Sequence, residues 1–432
     1  MLEKILRFTE RFIPKKIYRF LQPAYHYTLS FLGALLYRFP ARKIFVLGVT
    51  GTKGKTSTIE IVSAILEEAG YSTAIISTLR FKTGKKEERN LYKMTMPGRF
   101  FVQKMLRSAV REKCDYAIIE MTSEGARFFR HKFTYPDALI FTNISPEHIE
   151  SHGSLENYLN AKLGIVRGVE MSPKKKRSII ANKDDKYADR FLAFHVDEKR
   201  TFSLKDAEPF EILEKGIDFT LEGQKIHSKL SGEFNLYNVL AAVTFGRTQN
   251  IDASIIKRAV EKFDGIRGRL ERVEAGPLDP ARGRQDFTVI VDYAHTPDSL
   301  EKVYQVFQNQ KKICVLGGTG GGRDKWKRPE MGRIAAAYCD HIILTDEDPY
   351  DEDPRQIVEE IKNGVGETQN CEIVMDRRAA IAEAFKHARK GDAVIITGKG
   401  TDPFIMGPHG GKLPWDDASV AREELGKLTT RD

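Results

Sequence analysis

Two series of short apolar runs limit how this chain can fold. The first comprises "KIFVLGVT", "STAIIST", "YAIIEM", "ALIFTNI" and "RSIIAN". The second begins near Phe287 with "FTVIVDYA" and continues through "KKICVLGG", "HIILTDED", "CEIVMD" and "DAVIITGKG". Most runs are followed by an amphipathic stretch, the pattern of a mostly parallel sheet with crossover helices. Between the two series lie a strand-poor patch and a helix, "NLYNVLAAVTFG". At 432 residues the chain is too long for one ordinary core. The reading is an α/β protein with a short helical N-terminal appendage (1–43), a central α/β domain (44–274) and a C-terminal α/β domain (275–432). The Gly/Pro-rich "AGPLDPARGR" at 275–284 reads as a surface loop near the boundary.

Composition narrows the function classes. Four cysteines, Cys114, Cys314, Cys339 and Cys371, form no C-x-x-C pair. They imply no zinc or redox motif and suit a reducing cytosol. The net charge of +9 is largely local, because residues 1–43 hold nine Lys/Arg and two Glu. The remainder is close to balanced and carries no nucleic-acid-binding motif, so no nucleic-acid partner is expected. The basic segment precedes "LQPAYHYTLSFLGALLY", seventeen residues at 21–37 without a charged side chain. Three readings stay open for it: helices packed on the protein or a partner subunit, a helix lying on an anionic membrane surface, or a short span.

The most chemically informative stretch is "GVTGTKGKTST", residues 48–58. A strand delivers the chain to Gly48. Gly51 and Gly54 let the backbone turn so that successive N–H groups face one anion. A helix then starts near Lys55, and its N-terminus favours phosphate. Lys55 can neutralise phosphate charge and Thr56 can offer a hydroxyl to Mg²⁺. The usual G-x-x-x-x-G-K-[ST] spacing would put a glycine at Val49, so the loop is a variant of that motif.

Other polar residues collect at strand ends. Glu120 closes a buried-type strand at the carboxyl edge, where open α/β sheets bind ligands, and a carboxylate there can hold Mg²⁺. The next strand ends at Asn143 and runs into Glu147, His148, Glu150 and His152. Lys162 follows on a helix, where a lysine is ordinarily solvated. In the C-terminal half, "VDYAHTPDSL", "GGTGGGRDKWKRPEMG", "LTDEDPYDEDP" and "TGKGTDP" all lie at strand ends. Arg323 there suits carboxylate or phosphate recognition.

Taken together, the chain resembles the Mur ligase family, and within it the UDP-N-acetylmuramoyl-tripeptide synthetases. "GVTGTKGKTST" resembles the family's phosphate loop, in which the glycine offset is normal. "FTNISPEHIESHGSLENYLNAK" is similar to its stretch running to a modified lysine. "GEFNLYNVLAA", "GIRGRLERV", "VDYAHTPDSL" and "GGGRDKWKRPEMG" match further blocks in order, over about residues 43–417.

The resemblance implies a P-loop-type ATPase domain followed by a Rossmann-like domain that takes an amino acid. It implies ATP-dependent amide formation through an acyl phosphate on a muramoyl-peptide carboxylate, in peptidoglycan precursor synthesis. Gly51, Thr52, Lys53, Gly54, Lys55, Thr56 and Ser57 would hold ATP, with Asn143, Asn238, Arg269, Asp292 and His295. Mg²⁺ would sit on Thr56, Glu120 and His148. Lys162 would carry a carbamate, and with Lys55, His148 and Glu120 would make the catalytic set. Thr95 and Ser123 would touch the muramoyl-peptide. Arg323, Glu347, Asp348, Gly398 and Asp402 would hold the incoming amino acid.

The chain is expected to be a cytoplasmic monomer, with peripheral contact to the inner membrane face through residues 1–40 as an added expectation. It also departs from the family pattern. Only about forty residues precede the loop, which points to reduced uridine binding or to another acceptor, such as a lipid-linked one. Thr122, Ser123 and Glu124 replace Ser-Ser-His, and Thr95, Met96 and Pro97 replace Thr-Thr-Pro. Glu347, Asp348, Pro349 and Tyr350 replace the Asp-Asn-Pro-Arg associated with diaminopimelate, which leans toward lysine or another amino acid. A folylpolyglutamate synthetase-like ligase and an inactive nucleotide-binding scaffold are the competing readings.

Overall fold

The computed structural model describes residues 15–147, 149–274, 286–323, 325–367 and 370–428. His148 and the 275–284 loop therefore lie outside the described residues. The chain clusters into two compact units. The first draws on the described parts of Met1–Glu147, His152–Leu204 and Tyr237–Ala259; the second draws mainly on Lys205–Leu236 and Val260–Asp432.

The first unit is built on an eight-stranded sheet. Its strands are β1 (Phe45–Thr50), β2 (Thr73–Ile76), β3 (Arg80–Thr83), β4 (Lys86–Arg89), β5 (Tyr116–Glu120), β6 (Ala138–Phe141), β7 (Ser178–Asn182) and β8 (Glu198–Phe202). The spatial order is β4-β3-β2-β5-β1-β6-β7-β8, parallel from β2 to β8 with β3 and β4 antiparallel. Val46, Leu47 and Val49 of β1 are fully buried. That is why β1 reads as a continuous apolar run: helices cover both faces of a parallel sheet. From β1 the chain departs first toward β2 and later toward β6, β7 and β8 on the other side. The carboxyl end of β1 therefore lies where the winding changes direction, the usual ligand crevice of such sheets.

The helix Lys15–Leu36 packs on the first unit through one face. His26, Ser30, Gly33 and Ala34 are buried. The Ser30 hydroxyl reaches the carbonyl of Phe129 at 2.8 Å. The Tyr27 ring meets Phe129 and Phe133. Leu21, Leu32, Leu35 and Leu36 stay exposed on the rest of the helix. Among the described residues no helix is long and apolar enough to cross a membrane.

The second unit holds β12 (Glu271–Arg272), β13 (Thr288–Asp292), β14 (Lys312–Leu316), β15 (His341–Leu344), β16 (Cys371–Ile373) and β17 (Ala393–Thr397). Their order is β12-β13-β17-β14-β15-β16, parallel except for β12. Separate apolar clusters cover its two faces, one led by Leu300, Tyr304 and Leu344, the other by Ile343, Ile381 and Phe385.

All the runs named from the sequence are strands, and the α/β class holds. Two expectations need correction. The patch read as strand-poor contains β8 and a three-stranded antiparallel sheet, β9 (Phe210–Leu213), β10 (Gly216–Leu221) and β11 (Gln224–Ser228). β9 buries no residue fully and β11 buries only Ile226 and Ser228, so polar residues break up the apolar ones and hide these strands from a search for apolar runs. The cysteines are also not all unpaired. Cys314 of β14 and Cys339, just past the helix Lys327–Tyr338, form a disulfide across 25 residues of sequence. The strand and the returning helix bring their Cα atoms to 6.1 Å, a proximity that sequence spacing could not reveal.

Candidate active site

The loop after β1 is held by its own sheet. Gly51 has φ 147° and Gly54 φ 81°. A Cβ on Gly51 would fall 2.0 Å from Thr142 Oγ1, and one on Gly54 would fall 2.2 Å from Asn238 Oδ1. Glycine is therefore required by both backbone conformation and space. Asn143, at the end of β6, accepts from Lys53 N at 2.9 Å through Oδ1 and donates to Lys53 O at 3.2 Å. Its carbonyl also accepts from Thr52 N at 2.8 Å. Asn143 thus splints the loop. The helix Lys55–Glu68 then begins at Lys55, with Gly54 as its cap.

Two lysines converge on one carbonyl. Lys55 Nζ lies 3.0 Å from Gly51 O and 2.8 Å from Thr52 O. Lys162 Nζ lies 2.6 Å from the same Gly51 O. Lys162 is only 1% exposed, and its ammonium carbon stem ends over the Tyr158 ring, with Nζ 4.7 Å from the ring centre. Burial, with the Lys55 charge second, pulls its pKa well below the ordinary lysine value. Tyr158 sits one helical turn before Lys162 in Leu155–Glu170, and its hydroxyl meets Thr52 Oγ1 at 3.0 Å.

A carboxylate faces the start of the same helix. Glu120 ends β5 in register with Val49 of β1. Its Oε2 accepts from Thr56 Oγ1 at 3.0 Å and from Thr78 N at 2.8 Å. Thr78 Oγ1 in turn meets Thr95 Oγ1 at 2.8 Å. Ser57 is buried in the first turn of the helix. Asn238, from the helix Glu233–Thr248, fills the space beside Gly54 and lies 3.5 Å from Thr58 Oγ1. Ser123 starts a short helix capped by Thr122 and is buried. Hard oxygen donors (Thr56, Glu120) beside a glycine loop and Lys55 fit a Mg²⁺–nucleotide phosphate group.

The second unit gathers the other expected residues at its own carboxyl edge. Asp292, ending β13, accepts from Leu270 N and Ala294 N, both at 2.7 Å. The Arg269 guanidinium lies over Tyr293 at 4.4 Å, and His295 Nδ1 is 2.7 Å from Tyr293 O. Arg323 lies over Tyr350 at 5.4 Å. Glu347 accepts from Thr319 Oγ1 at 2.8 Å, and burial, reinforced by Asp348, raises its pKa. Lys399 Nζ pairs with Asp348 at 2.8 Å and Asp402 at 3.1 Å. Gly398, with φ 106°, turns the chain beside Glu347.

The reading from sequence missed three contributors. Tyr158 was detectable as the residue four before Lys162 on one helix. Thr78 acts through its backbone N–H and leaves no side-chain signal. Lys399, in the "TGKG" stretch, is a buried cation held by two aspartates.

Comparison with known proteins covers most of the chain. Residues 49–246 match the family model described as the Mur ligase middle domain, and residues 268–400 match the Mur ligase glutamate ligase domain. The chain is 36% identical over 429 residues to a UDP-N-acetylmuramyl-tripeptide synthetase of Roseiflexus sp., covering 93% of this chain and 82% of that protein. It is 35% identical over 414 residues to the UDP-N-acetylmuramoyl-L-alanyl-D-glutamate–2,6-diaminopimelate ligase of Syntrophomonas wolfei, with the same coverages. Among solved structures, the folylpolyglutamate synthase of Mycobacterium tuberculosis bound to ADP shares the fold, with TM-score 0.67, 16% identity and 94% coverage of each chain. The chain belongs to the Mur ligase family, whose members are ATP-dependent amide-bond ligases.

Proposed function

We propose that this protein joins a free amino acid to the carboxylate of a muramoyl-peptide in peptidoglycan precursor synthesis, with ATP as the activating reagent. The observation that carries the reading is the convergence of Lys55, Lys162, Thr56 and Glu120 on the loop after β1. In this reading residues 44–274 handle the nucleotide and residues 275–432 the amino acid.

The carboxylate attacks the γ-phosphorus and ADP leaves, giving an acyl phosphate. The amine then adds to the acyl carbon, phosphate departs and the amine loses its proton. Lys55 and the loop N–H groups stabilise charge that grows on the transferring phosphoryl oxygens. Thr56 and Glu120, with His148, would hold Mg²⁺, which neutralises phosphate charge. Asn143 and Asn238 keep the loop in shape, and in this reading Asn238 also contacts the base. Arg269, Asp292 and His295 belong to the nucleotide contacts in this reading, and Thr95 and Ser123 to the peptide contacts.

Lys162 has the chemistry required for carbamylation. A neutral amine attacks CO₂, forms an N–C bond and releases one proton, turning a cationic residue into an anion. Burial beside Lys55 favours the neutral amine that this step needs.

Arg323, Glu347, Asp348, Gly398 and Asp402 make the amino-acid end. Tyr350 stands where the diaminopimelate-associated arginine would be and cannot form its bidentate carboxylate contact. That difference favours lysine or another amino acid over diaminopimelate. The test is ADP release measured across an amino-acid panel with nucleotide-linked and lipid-linked muramoyl-dipeptides. ADP release that needs both partners supports the ligase, and silence across the panel refutes it.

The N-terminal helix supports a second element, contact with an anionic bilayer. Its exposed Leu21, Leu32, Leu35 and Leu36 accompany the basic surplus of residues 1–43, the combination found in interfacial helices. Vesicles containing phosphatidylglycerol should bind the full chain and bind Leu32→Asp/Leu35→Asp poorly; equal binding would refute the contact.

A further inference from the structure

At the amino edge of the second sheet, opposite the Glu347–Asp348 edge, three side chains from three elements meet. His341 opens β15, Glu372 lies in β16, and His387 ends the helix Arg377–His387. Both imidazoles aim Nε2 at the same carboxylate oxygen. His341 Nε2 is 2.9 Å and His387 Nε2 is 3.1 Å from Glu372 Oε1. The two rings lie 4.0 Å apart, tilted by 30°.

One helical turn before His387, Glu383 places Oε1 3.7 Å from His387 Nε2. Its other oxygen is held by Lys386 at 2.6 Å. The side chains are between 20% and 39% exposed, so an ion from solvent can reach them.

We propose that His341, Glu372 and His387 form a three-residue binding site for a Zn²⁺-type divalent cation separate from the nucleotide site, with water from solvent as the fourth donor. Two imidazole nitrogens and carboxylate oxygens are the donor set that Zn²⁺ accepts. Donors bound at about 2.0–2.1 Å round a tetrahedral ion stand about 3.3 Å apart. The spacings of 2.9 and 3.1 Å lie close to that value, and the three donor atoms all fall within 4.8 Å of one another.

The charge argument points the same way. If both Nε2 atoms carry protons for one oxygen, two closely stacked rings compete for a single acceptor. One divalent ion replaces both protons and uses both nitrogens as lone-pair donors. Such an ion would tie the amino ends of β15 and β16 to the end of a helix that covers them.

The test uses untagged full-length protein stripped with chelator and titrated with ZnCl₂, then CoCl₂, without nucleotide. The expected result is one equivalent of Zn²⁺ and the strong visible absorption of four-coordinate Co²⁺. His387→Ala and Glu372→Gln should each weaken Zn²⁺ binding at least about tenfold, whereas Glu120→Gln at the nucleotide loop should not. Zn²⁺ should also raise the melting temperature of the native chain and not that of His387→Ala. Binding unchanged in His387→Ala and Glu372→Gln would overturn the proposal. So would absence of saturable binding in the native chain, leaving the cluster as shared hydrogen bonds only.

Discussion

Lys162 and Lys399 invite comparison. Each is 1% exposed and each lies by the carboxyl edge of a parallel sheet, one in each unit. Their surroundings differ in kind. Lys399 is paired with Asp348 and Asp402 and donates to the carbonyl of Phe404 at 2.6 Å. Lys162 lies against a carbonyl and an aromatic ring, with the Lys55 cation nearby. Burial with matched counter-charges produces a strut. Burial with Glu147 and Glu120 acting only as weaker charges, and with a second cation close by, favours the neutral amine, because the charged form loses its solvation and gains too little in return. Depth of burial therefore does not decide what a lysine does; its partners do.

Substitutions can break this contrast. Lys399→Met should cost the most stability, about 3–5 kcal/mol, since it strands a buried aspartate. Chemical denaturation reads this, and an unchanged midpoint would make Lys399 dispensable. Lys55→Ala should lower kcat by about 10²–10³-fold with little loss of stability, the usual cost of removing one donor to a developing charge. Steady-state ADP release reads it, and native turnover would remove the loop from the mechanism.

Lys162→Ala should lower kcat by about 10–100-fold, with partial recovery in formate or acetate, if its role is to present an anion near Mg²⁺. No recovery at any carboxylate concentration would count against the carbamate. The sign of its pH effect also follows. Its pKa is depressed on folding, so native stability should fall as pH drops below the ordinary lysine range. The slope should flatten in Lys162→Met.

A further pH effect belongs to the N-terminal helix. Burial, then Arg99 and Arg130, hold His26 down to a pKa of about 4 from 6.5. The unfolded chain binds this proton first, so stability should decline as pH falls from about 6.5 toward about 4. Melting curves of His26→Phe should lack that part of the decline.

The comparison also shows how much was legible beforehand. The strands of both parallel sheets, the loop with its glycines, and Glu120 at a strand end are local patterns and could be read directly. Lys162 could be singled out only through the family resemblance, because a helix-borne lysine looks solvated in sequence. The role of Lys399 could not be read from "TGKG", because its aspartate partners lie 51 residues earlier and three later. The antiparallel strands between the two series were missed because they bury few residues and form no continuous apolar run.

The sequence by itself determined the alternation that makes two parallel sheets, the turn that only Gly51 and Gly54 can make, and the family. Tertiary structure alone decided the pairing of Cys314 with Cys339, the meeting of His341, Glu372 and His387, and the opposite characters of the two buried lysines. The physical reason is range. Backbone propensity and hydrophobic period act over a few neighbouring residues, whereas charge, desolvation and covalent pairing depend on which distant side chains the fold brings within a few ångströms.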